Sequence, residues 1–210
     1  DMAEGWARSF NEMLWKDGTQ DPKLIPGITA FISDDPTTGT VGGLDRALVP
    51  AWRNRAAVGA NKIIASKTNQ TLTKFLRAEV RQLTRFGGKP NLIFCGSAAL
   101  AKLEEEVFEK GIYTQSGFMN GGSTELGMAD ISMRGVGKFV YDPTLDTLGK
   151  SDYIYFIDES NLKLYVMDGE DKKTHNPARP HDQYVIYRAM TWTGGMTATQ
   201  LNGSAVYQVG

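Results

Sequence analysis

The amino-acid sequence predicts an α+β fold, with helices early in the chain and antiparallel strands late. Apolar residues recur at helical spacing in three segments before residue 112. After residue 130 the chain carries short apolar runs separated by polar or glycine-containing turns, a pattern typical of strands and hairpins. The strand–helix–strand alternation that builds a doubly wound parallel sheet is missing.

Composition excludes several classes of function. The 210 residues suffice for one substantial domain or two small ones. The net charge of −1 lacks the cationic excess of a dedicated nucleic-acid binder, so we expect any contact with DNA to be weak. The chain contains no apolar run long enough for a membrane span. The single cysteine, Cys95, excludes an intramolecular disulfide and fits a reducing cytoplasm.

A first helix is predicted over residues 2–16 and ends at the Asp-Gly pair of residues 17–18. Its apolar face comprises Met2, Trp6, Phe10, Met13 and Leu14. Because a natural start seldom cuts into an amphipathic helix, we expect the chain to be a fragment whose N-terminal portion has been removed. No secretory signal is recognisable at its start.

Residues 18–60 predict an extended segment with turns, not a helix, because Gly, Pro, Thr and Asp dominate it. Trp52 lies there among Arg46, Arg53 and Arg55. Two interpretations are open. Trp52 is either a core residue beneath solvated arginines or part of a subunit contact, since Trp and Arg are enriched at interface hot spots.

Residues 71–86 predict a second helix, with Asn69 as its N-cap. Its apolar stripe consists of Leu72, Phe75, Leu76, Val80 and Leu83. Its other face carries a basic row, which we define as Lys74, Arg77, Arg81 and Arg85. Like charges at this spacing repel weakly, so the basic row indicates a partner outside the helix.

Residues 91–95 predict a buried strand, followed by a third helix with Ser97 as its N-cap and Gly111 just after its end. An acidic outer face is predicted from Glu104, Glu105, Glu106 and Glu109. The basic and acidic helices form a charge-complementary pair, either within one subunit or between neighbours. The alternative is that each charged face is simply solvated.

The remaining chain predicts a loop and then strands. Residues 112–130 are rich in glycine, including Gly121 and Gly122, and a loop of this length is usually functional or mobile. Strands are predicted over residues 131–133, 138–141, 153–157, 162–167, 183–193, 196–201 and 204–209. Residues 158–161 are predicted as a hairpin-like connection, and the Asn-Gly pair at 202–203 as a hairpin turn.

The sequence lacks recognisable motifs for catalysis and for metal binding. Cys95 follows a strand but lacks the flanking glycines of a nucleophile elbow, so we interpret it as a buried structural thiol. His175 and His181 lie in a polar loop without the ligand density of a zinc site. The Gly-Gly-Lys at 87–89 is not a P-loop, and Asp34-Asp35 is typical of a turn. We predict no catalytic, cofactor-binding or metal-binding residues.

Two motifs resemble the major capsid proteins of tailed bacteriophages, which share the Hong Kong 97-type fold. The first is a helix that runs into Asp-Gly-Thr at 17–19 and, after a short gap, Pro-Gly-Ile at 26–28. The second is Gly-Gly-Leu-Asp-Arg-Ala at 42–47 followed by Trp-Arg-Asn at 52–54. The order of the predicted elements resembles this family over essentially the whole chain.

The resemblance implies a structural protein and not an enzyme. It implies a peripheral domain, made of a spine helix plus antiparallel strands in residues 1–65 and 171–210, and an axial domain of helices flanking a central sheet in 66–170. It also implies self-assembly into hexamers and pentamers of an icosahedral head enclosing double-stranded DNA, in the bacterial cytoplasm, with scaffold and portal proteins as further partners.

The candidate interface residues are Arg46, Trp52, Arg53, the basic row, the four glutamates of the third helix, Gly121 and Gly122. An alternative from another class is a Cys-dependent hydrolase or small binding domain that uses Cys95 with His175 or His181.

Overall fold

The computed structural model describes residues 2–109, 131–177, 181–182 and 188–210. The helices are α1 (Met2–Trp15), α2 (Ile28–Phe31), α3 (Thr71–Leu83), α4 (Ser97–Glu109) and α5 (Pro143–Thr147), with 3-10 turns at Pro50–Trp52, Gly59–Asn61 and Thr84–Phe86. The strands are β1 (Thr40–Val41), β2 (Leu44–Asp45), β3 (Arg55–Ala57), β4 (Leu92–Cys95), β5 (Ser132–Met133), β6 (Gly137–Tyr141), β7 (Tyr153–Ile157), β8 (Leu162–Val166), β9 (Lys173–His175), β10 (Ala189–Thr191), β11 (Gly194–Ala198) and β12 (Ala205–Gln208).

A six-stranded mixed sheet organises the fold, in the order β3-β12-β7-β4-β6-β5. Its central strand β7 is an uninterrupted apolar run because helices cover both faces of the sheet. Ile154 and Phe156 face α3 and α4, whereas Tyr155 and Ile157 face a second cluster that includes Trp15 of α1. The α+β class predicted from the sequence is confirmed, and the sheet draws strands from all three predicted domain segments.

The sheet is not purely antiparallel, which corrects the prediction. β12 pairs with β3 in parallel, and β4 pairs with β6 in parallel. Helix α4 lies between β4 and β6 in the chain, so this part contains the strand–helix–strand arrangement that the sequence pattern did not reveal. The pattern was hidden because β5 and residues 110–131 also separate α4 from β6.

Residues 162–198 contribute a second pair of ladders, outside the main sheet. β8 pairs antiparallel with β11, and β9 pairs antiparallel with β10. We call these four strands the ribbon. The predicted hairpin at 158–161 is therefore wrong, because β8 leaves the main sheet instead of pairing with β7. The first predicted strand of the C-terminal region, 183–193, is described only at its end, as β10.

The Asn-Gly pair at 202–203 does not form the predicted hairpin, since β11 and β12 belong to different sheets. Gly203 instead allows the chain before β12 to pack closely against Gly88 and Asp158. A Cβ there would lie 2.9 Å from Cα of Gly88 and 3.0 Å from Oδ2 of Asp158. The glycine that resembled a turn signal therefore serves packing.

Segment 18–60 contains a short helix, α2, where the sequence predicted only extended chain and turns. Gly27 precedes α2 and lies so close to the end of α1 that a Cβ would be 2.3 Å from the carbonyl oxygen of Leu14. Helix α1 itself is confirmed, and the positive φ of +83° at Gly18 fits the predicted Asp-Gly helix end. No helix in the described residues is long and apolar enough to cross a membrane.

Asp158 fixes the turn after β7. It is almost fully buried, and its carboxylate accepts hydrogen bonds from the backbone N–H of Lys89 (2.9 Å) and from the side-chain amide of Asn161 (2.8 Å). Burial raises the pKa of Asp158. These hydrogen bonds and those from Ser160 lower it by more, so the net shift of the pKa is downward. The chain at the end of β7 is therefore held against residues 88–91 by a charged carboxylate.

We expect this carboxylate to stabilise the fold above about pH 4 and to lose that effect as pH falls through its lowered folded-state pKa. Asp158→Asn should lower the melting temperature near neutral pH and flatten its decline between about pH 5 and pH 3. Calorimetry across this range measures both effects. Asp168→Asn, the same change at an exposed site, is the control. Identical pH profiles for wild type and Asp158→Asn would contradict the account.

Candidate subunit-contact surfaces

Arg46, a predicted interface residue, is buried with only 1% of its surface exposed. Its guanidinium donates hydrogen bonds to the carbonyl oxygens of Ala30 (3.1 Å) and Phe31 (2.5 Å) and to Oδ1 of Asn54 (3.4 Å). Burial lowers the pKa of Arg46, and the charge of Asp35 opposes this. The expected surface position is wrong, because the carbonyls at the end of α2 need a donor inside the fold.

We expect Arg46→Met to lower the free energy of unfolding by about 2–4 kcal/mol, because it leaves these carbonyls without donors. Arg77→Met makes the same change at an exposed site and should stay within about 0.5 kcal/mol of wild type. Urea denaturation of both variants measures the difference. Equal stabilities would show that the buried guanidinium contributes nothing.

Trp52 and Arg53 lie at the surface of the same segment, where both are half-buried. The indole N–H of Trp52 donates to the carbonyl oxygen of Val41 (3.1 Å) and the ring lines an open groove together with Met196 of β11. Arg53 donates to the carbonyl oxygen of Arg46 (2.6 Å). The interpretation of Trp52 as a core residue beneath solvated arginines is therefore wrong, because Arg46 is in the core and Trp52 is partly exposed.

The basic row lies on the exposed face of α3 and the turn that follows it. The apolar stripe on the opposite face is confirmed, with Leu72, Leu76 and Leu83 fully buried.

The predicted N-cap Asn69 is wrong. Gln70 occupies that position in a left-handed conformation without a side-chain cap bond. The first turn of α3 is capped from another helix.

That cap is Glu106, which the sequence placed on an acidic outer face. Glu106 is fully buried. Its carboxylate accepts hydrogen bonds from the backbone N–H groups of Leu72 (3.0 Å) and Thr73 (2.9 Å) in α3 and of Ser66 (3.2 Å). An acidic group at a helix N-terminus satisfies free N–H donors and interacts favourably with the helix dipole. The surface position predicted for Glu106 is therefore wrong.

The acidic face of α4 is reduced accordingly. Glu105 is exposed and pairs with Lys67 at 3.2 Å, and Glu104 is half-buried. The side chain of Glu109 and the loop with Gly121 and Gly122 lie outside the described residues.

Ser97 is the first residue of α4, not its N-cap, and its backbone N–H donates to Oδ1 of Asp146 (3.0 Å). Both α3 and α4 therefore begin against a carboxylate from another element.

The ribbon exposes apolar residues that the sequence analysis did not select. Leu164 (40% exposed), Tyr165 (58%), Val166 (41%) and Met167 (61%) follow one another along β8 and just beyond it. Because neighbouring residues of a strand point to opposite faces, both faces of the ribbon carry apolar surface. A cluster of this kind indicates an interaction surface. The available signal was the apolar run at residues 164–167, which the sequence analysis used only to predict a strand.

Helix α1 lies against the ribbon. Phe10 packs edge-on against Trp192 with ring centroids 4.9 Å apart, and the ammonium of Lys172 lies 5.0 Å from the Trp6 ring centroid. The described part of the chain therefore covers the apolar face predicted for α1 only partly. The one fully buried residue of α1 is Trp15, which the stripe did not include.

Cys95 is buried as predicted, and its thiol donates to the carbonyl oxygen of Val140 (3.5 Å). Burial and the charges of Glu104 and Asp146 raise its pKa to about 12. His175 and His181 are exposed, on β9 and beyond it, and contact Thr191 and Asp182. Among the described residues, no group of three or more His, Cys, Asp or Glu side chains is placed to hold a metal ion.

We expect Cys95 to react with iodoacetamide at least about 100-fold more slowly than a free cysteine, because the thiolate is the reactive form. Labelling followed by mass spectrometry measures the rate. Urea-unfolded protein is the control and should react at the ordinary rate. Rapid labelling of the folded chain would contradict the buried, protonated thiol and would revive the hydrolase alternative.

The fold is that of a phage capsid chain. The chain is similar to a solved chain titled cyanophage A-1(L) capsid asymmetric unit, with a TM-score of 0.62 and 16% sequence identity. The likeness covers 97% of this chain and 65% of that one. At this identity the comparison shows the shared fold. No protein-family model matches the chain, and no curated protein matches it.

Proposed function

We propose that the chain is a subunit of a tailed-phage capsid with a Hong Kong 97-type fold. Copies of it form the hexamers and pentamers of an icosahedral head that encloses double-stranded DNA, assembled in the host cytoplasm and assisted by scaffold and portal proteins. The observation that carries this proposal is the TM-score of 0.62 to a phage capsid chain over 97% of the residues. The two sequence motifs in residues 17–54 support it independently.

The predicted domain division is part of this proposal, with the main sheet and the ribbon each built from strands of both domains. Residues 1–65 and 171–210 form the peripheral domain, with α1 as the spine helix against the ribbon. Residues 66–170 contribute the axial domain, with α3 and α4 on one face of the main sheet. Contacts between copies involve the ribbon's exposed Tyr165 and Met167, the half-buried Trp52 and Arg53, and the outer face of α4. Gly121 and Gly122 remain proposed contact residues from the sequence.

The Cys-dependent hydrolase of the sequence analysis receives no support. The only thiol of the chain is buried and has a raised pKa, whereas a nucleophilic cysteine needs an accessible thiolate. The likeness to a capsid chain fits a structural protein.

The ribbon surface offers a direct test of self-association. We expect the complete gene product to sediment as capsomers or larger assemblies at micromolar concentration. Tyr165→Asp with Met167→Asp should shift it toward monomer, because charges replace apolar contacts, with little change in melting temperature since both residues are exposed. Lys163→Asp, on the same strand, is the control. Unchanged assembly of the double variant would exclude the ribbon as a contact.

A further inference from the structure

The basic row is a straight line of positive charge. Lys74, Arg77 and Arg81 are three and four residues apart, which keeps them on one face of α3, and Arg85 follows in the 3-10 turn after it. At a rise of about 1.5 Å per residue, the row extends about 16 Å from Lys74 to Arg85. All four side chains belong to exposed residues. Arg85 also lies over the ring of Phe86, itself 68% exposed, at 5.4 Å.

The row is not neutralised within the described chain. None of its four members forms an ion pair with a described residue, and the acid of α3 points the other way. That acid, Glu79, lies on the opposite side of the helix, where it binds Arg55 (2.6 Å) and the hydroxyl of Tyr207 (2.9 Å). The row is thus a continuous cationic surface in a chain whose net charge is −1.

The acidic face of a neighbouring α4 is a poor match for this surface. The sequence offered four glutamates against four cations, but Glu106 is buried as the cap of α3 and Glu105 already pairs with Lys67. Glu104 is half-buried, and it is the remaining described acid of that face. Two or fewer available carboxylates cannot neutralise four cations, so a partner with a regular series of negative charges matches the row better than a neighbouring α4 does.

Duplex DNA provides such a series. Each strand carries one phosphate per about 3.4 Å of helix axis, so a row of about 16 Å faces four to five phosphates. Four cations spaced along one helical segment can each bind a phosphate of the sequence-independent backbone. The chain has no overall cationic excess, so each copy binds weakly, and many copies hold the duplex without fixing it in place.

We propose that the basic row of α3 binds the phosphate backbone of double-stranded DNA. This inference rests on the proposed capsid function, which supplies the DNA. It also predicts how the subunit is oriented, because the exposed face of α3 would point into the interior of the head. The same cations would not serve as the contact between neighbouring subunits.

The test is fluorescence anisotropy of the full chain with a labelled random duplex of about 30 base pairs at several salt concentrations. Four phosphate contacts predict that the logarithm of the association constant falls with the logarithm of the salt concentration with a slope of about −3.6. Binding should therefore be roughly 100-fold weaker at 200 mM than at 50 mM salt. Because this measurement needs no shell, its failure is distinct from a failure of assembly.

A row variant and a matched control locate the site. The row variant replaces Lys74, Arg77, Arg81 and Arg85 with Gln. The control variant replaces Lys23, Lys62, Arg134 and Lys163, which are exposed residues off the row, with Gln. We expect the row variant to bind at least about 30-fold more weakly at 50 mM salt and the control within a few-fold of wild type. Both should melt near the wild-type temperature, and the row variant slightly higher because repulsion is relieved.

Several results would overturn the proposal. These are equal losses in both variants, unchanged binding by the row variant, and absence of wild-type binding at low salt. Tighter binding to poly-glutamate than to DNA, lost in the row variant, would assign the row to an acidic protein instead. The double reversal Arg77→Glu with Arg81→Glu provides a second variant. If its assembly defect were rescued by Glu104→Lys with Glu105→Lys, the row would be a subunit contact.

Discussion

Glu106→Ala is expected to lower the free energy of unfolding by about 3–5 kcal/mol. The carboxylate is fully buried and accepts hydrogen bonds from three backbone N–H groups at the start of α3 and just before it. Its removal leaves these donors without partners, removes a negative charge from a helix N-terminus and opens a cavity between α3 and α4. Urea denaturation monitored by circular dichroism measures the loss.

Glu105→Ala is the matched control, because it is the neighbouring residue of the same helix with an exposed side chain and an exposed ion pair. It should change stability by less than about 1 kcal/mol. Glu106→Gln should recover only part of the loss, because one oxygen acceptor is replaced by an amide donor facing other donors. Similar stabilities for the two alanine variants would show that Glu106 is not the cap of α3.

Trp15→Ala is expected to cost about 3–5 kcal/mol, the usual range for a buried tryptophan. Trp15 is 3% exposed and attaches α1 to the sheet. Its ring lies 5.0 Å from that of Tyr155 and 5.5 Å from that of Phe94, and its indole N–H donates to Asp142 at 2.7 Å. Thermal unfolding measures the loss.

Trp6→Ala, the same substitution on the half-covered face of α1, is the control and should cost much less in the isolated chain. Trp15→Phe separates the contributions, because it keeps aromatic packing and removes the bond to Asp142. If Trp6→Ala proved the more destabilising substitution, the ribbon and not the main sheet would hold α1.

The sequence predicted those helices and strands whose apolar residues form a recognisable pattern within a short stretch of chain. Strand β7 was predicted at its observed bounds because a run of five apolar residues has the length of a strand, and in the structure this strand is buried between two layers. Helix α3 was predicted because three leucines on one face meet the core. In both cases the buried surface is local in sequence, so a short window contains the whole signal.

The roles of single polar residues could not be predicted, because their partners are distant in the chain. Glu106 caps a helix that begins 35 residues earlier, and Asp158 binds the backbone at Lys89. Arg46 satisfies carbonyls of α2, a helix too short to have a periodic pattern. A charged residue in a helical pattern normally lies in solvent, so only tertiary contacts reveal the exceptions.

The failed hairpins have a related cause. Turn chemistry indicates where a chain can reverse but not which strands then pair. At 202–203 the glycine is required for contact with Gly88. At 158–161 the carboxylate of Asp158 binds the backbone N–H of Lys89, and the chain continues into β8 of the ribbon. The exposed positions of Tyr165 and Met167 were missed because residues 162–167 were predicted only as a strand, and strand pairing decides which of its faces stay exposed.

The most direct test of the proposed function is electron microscopy of the complete gene product after expression in bacteria. We expect closed shells of uniform size. A reconstruction should show α1 packed on the main sheet in each copy and the basic row on the interior surface. Purified protein that remains monomeric at tens of micromolar, with no particles in the expressing cells, would contradict the assignment as a capsid subunit.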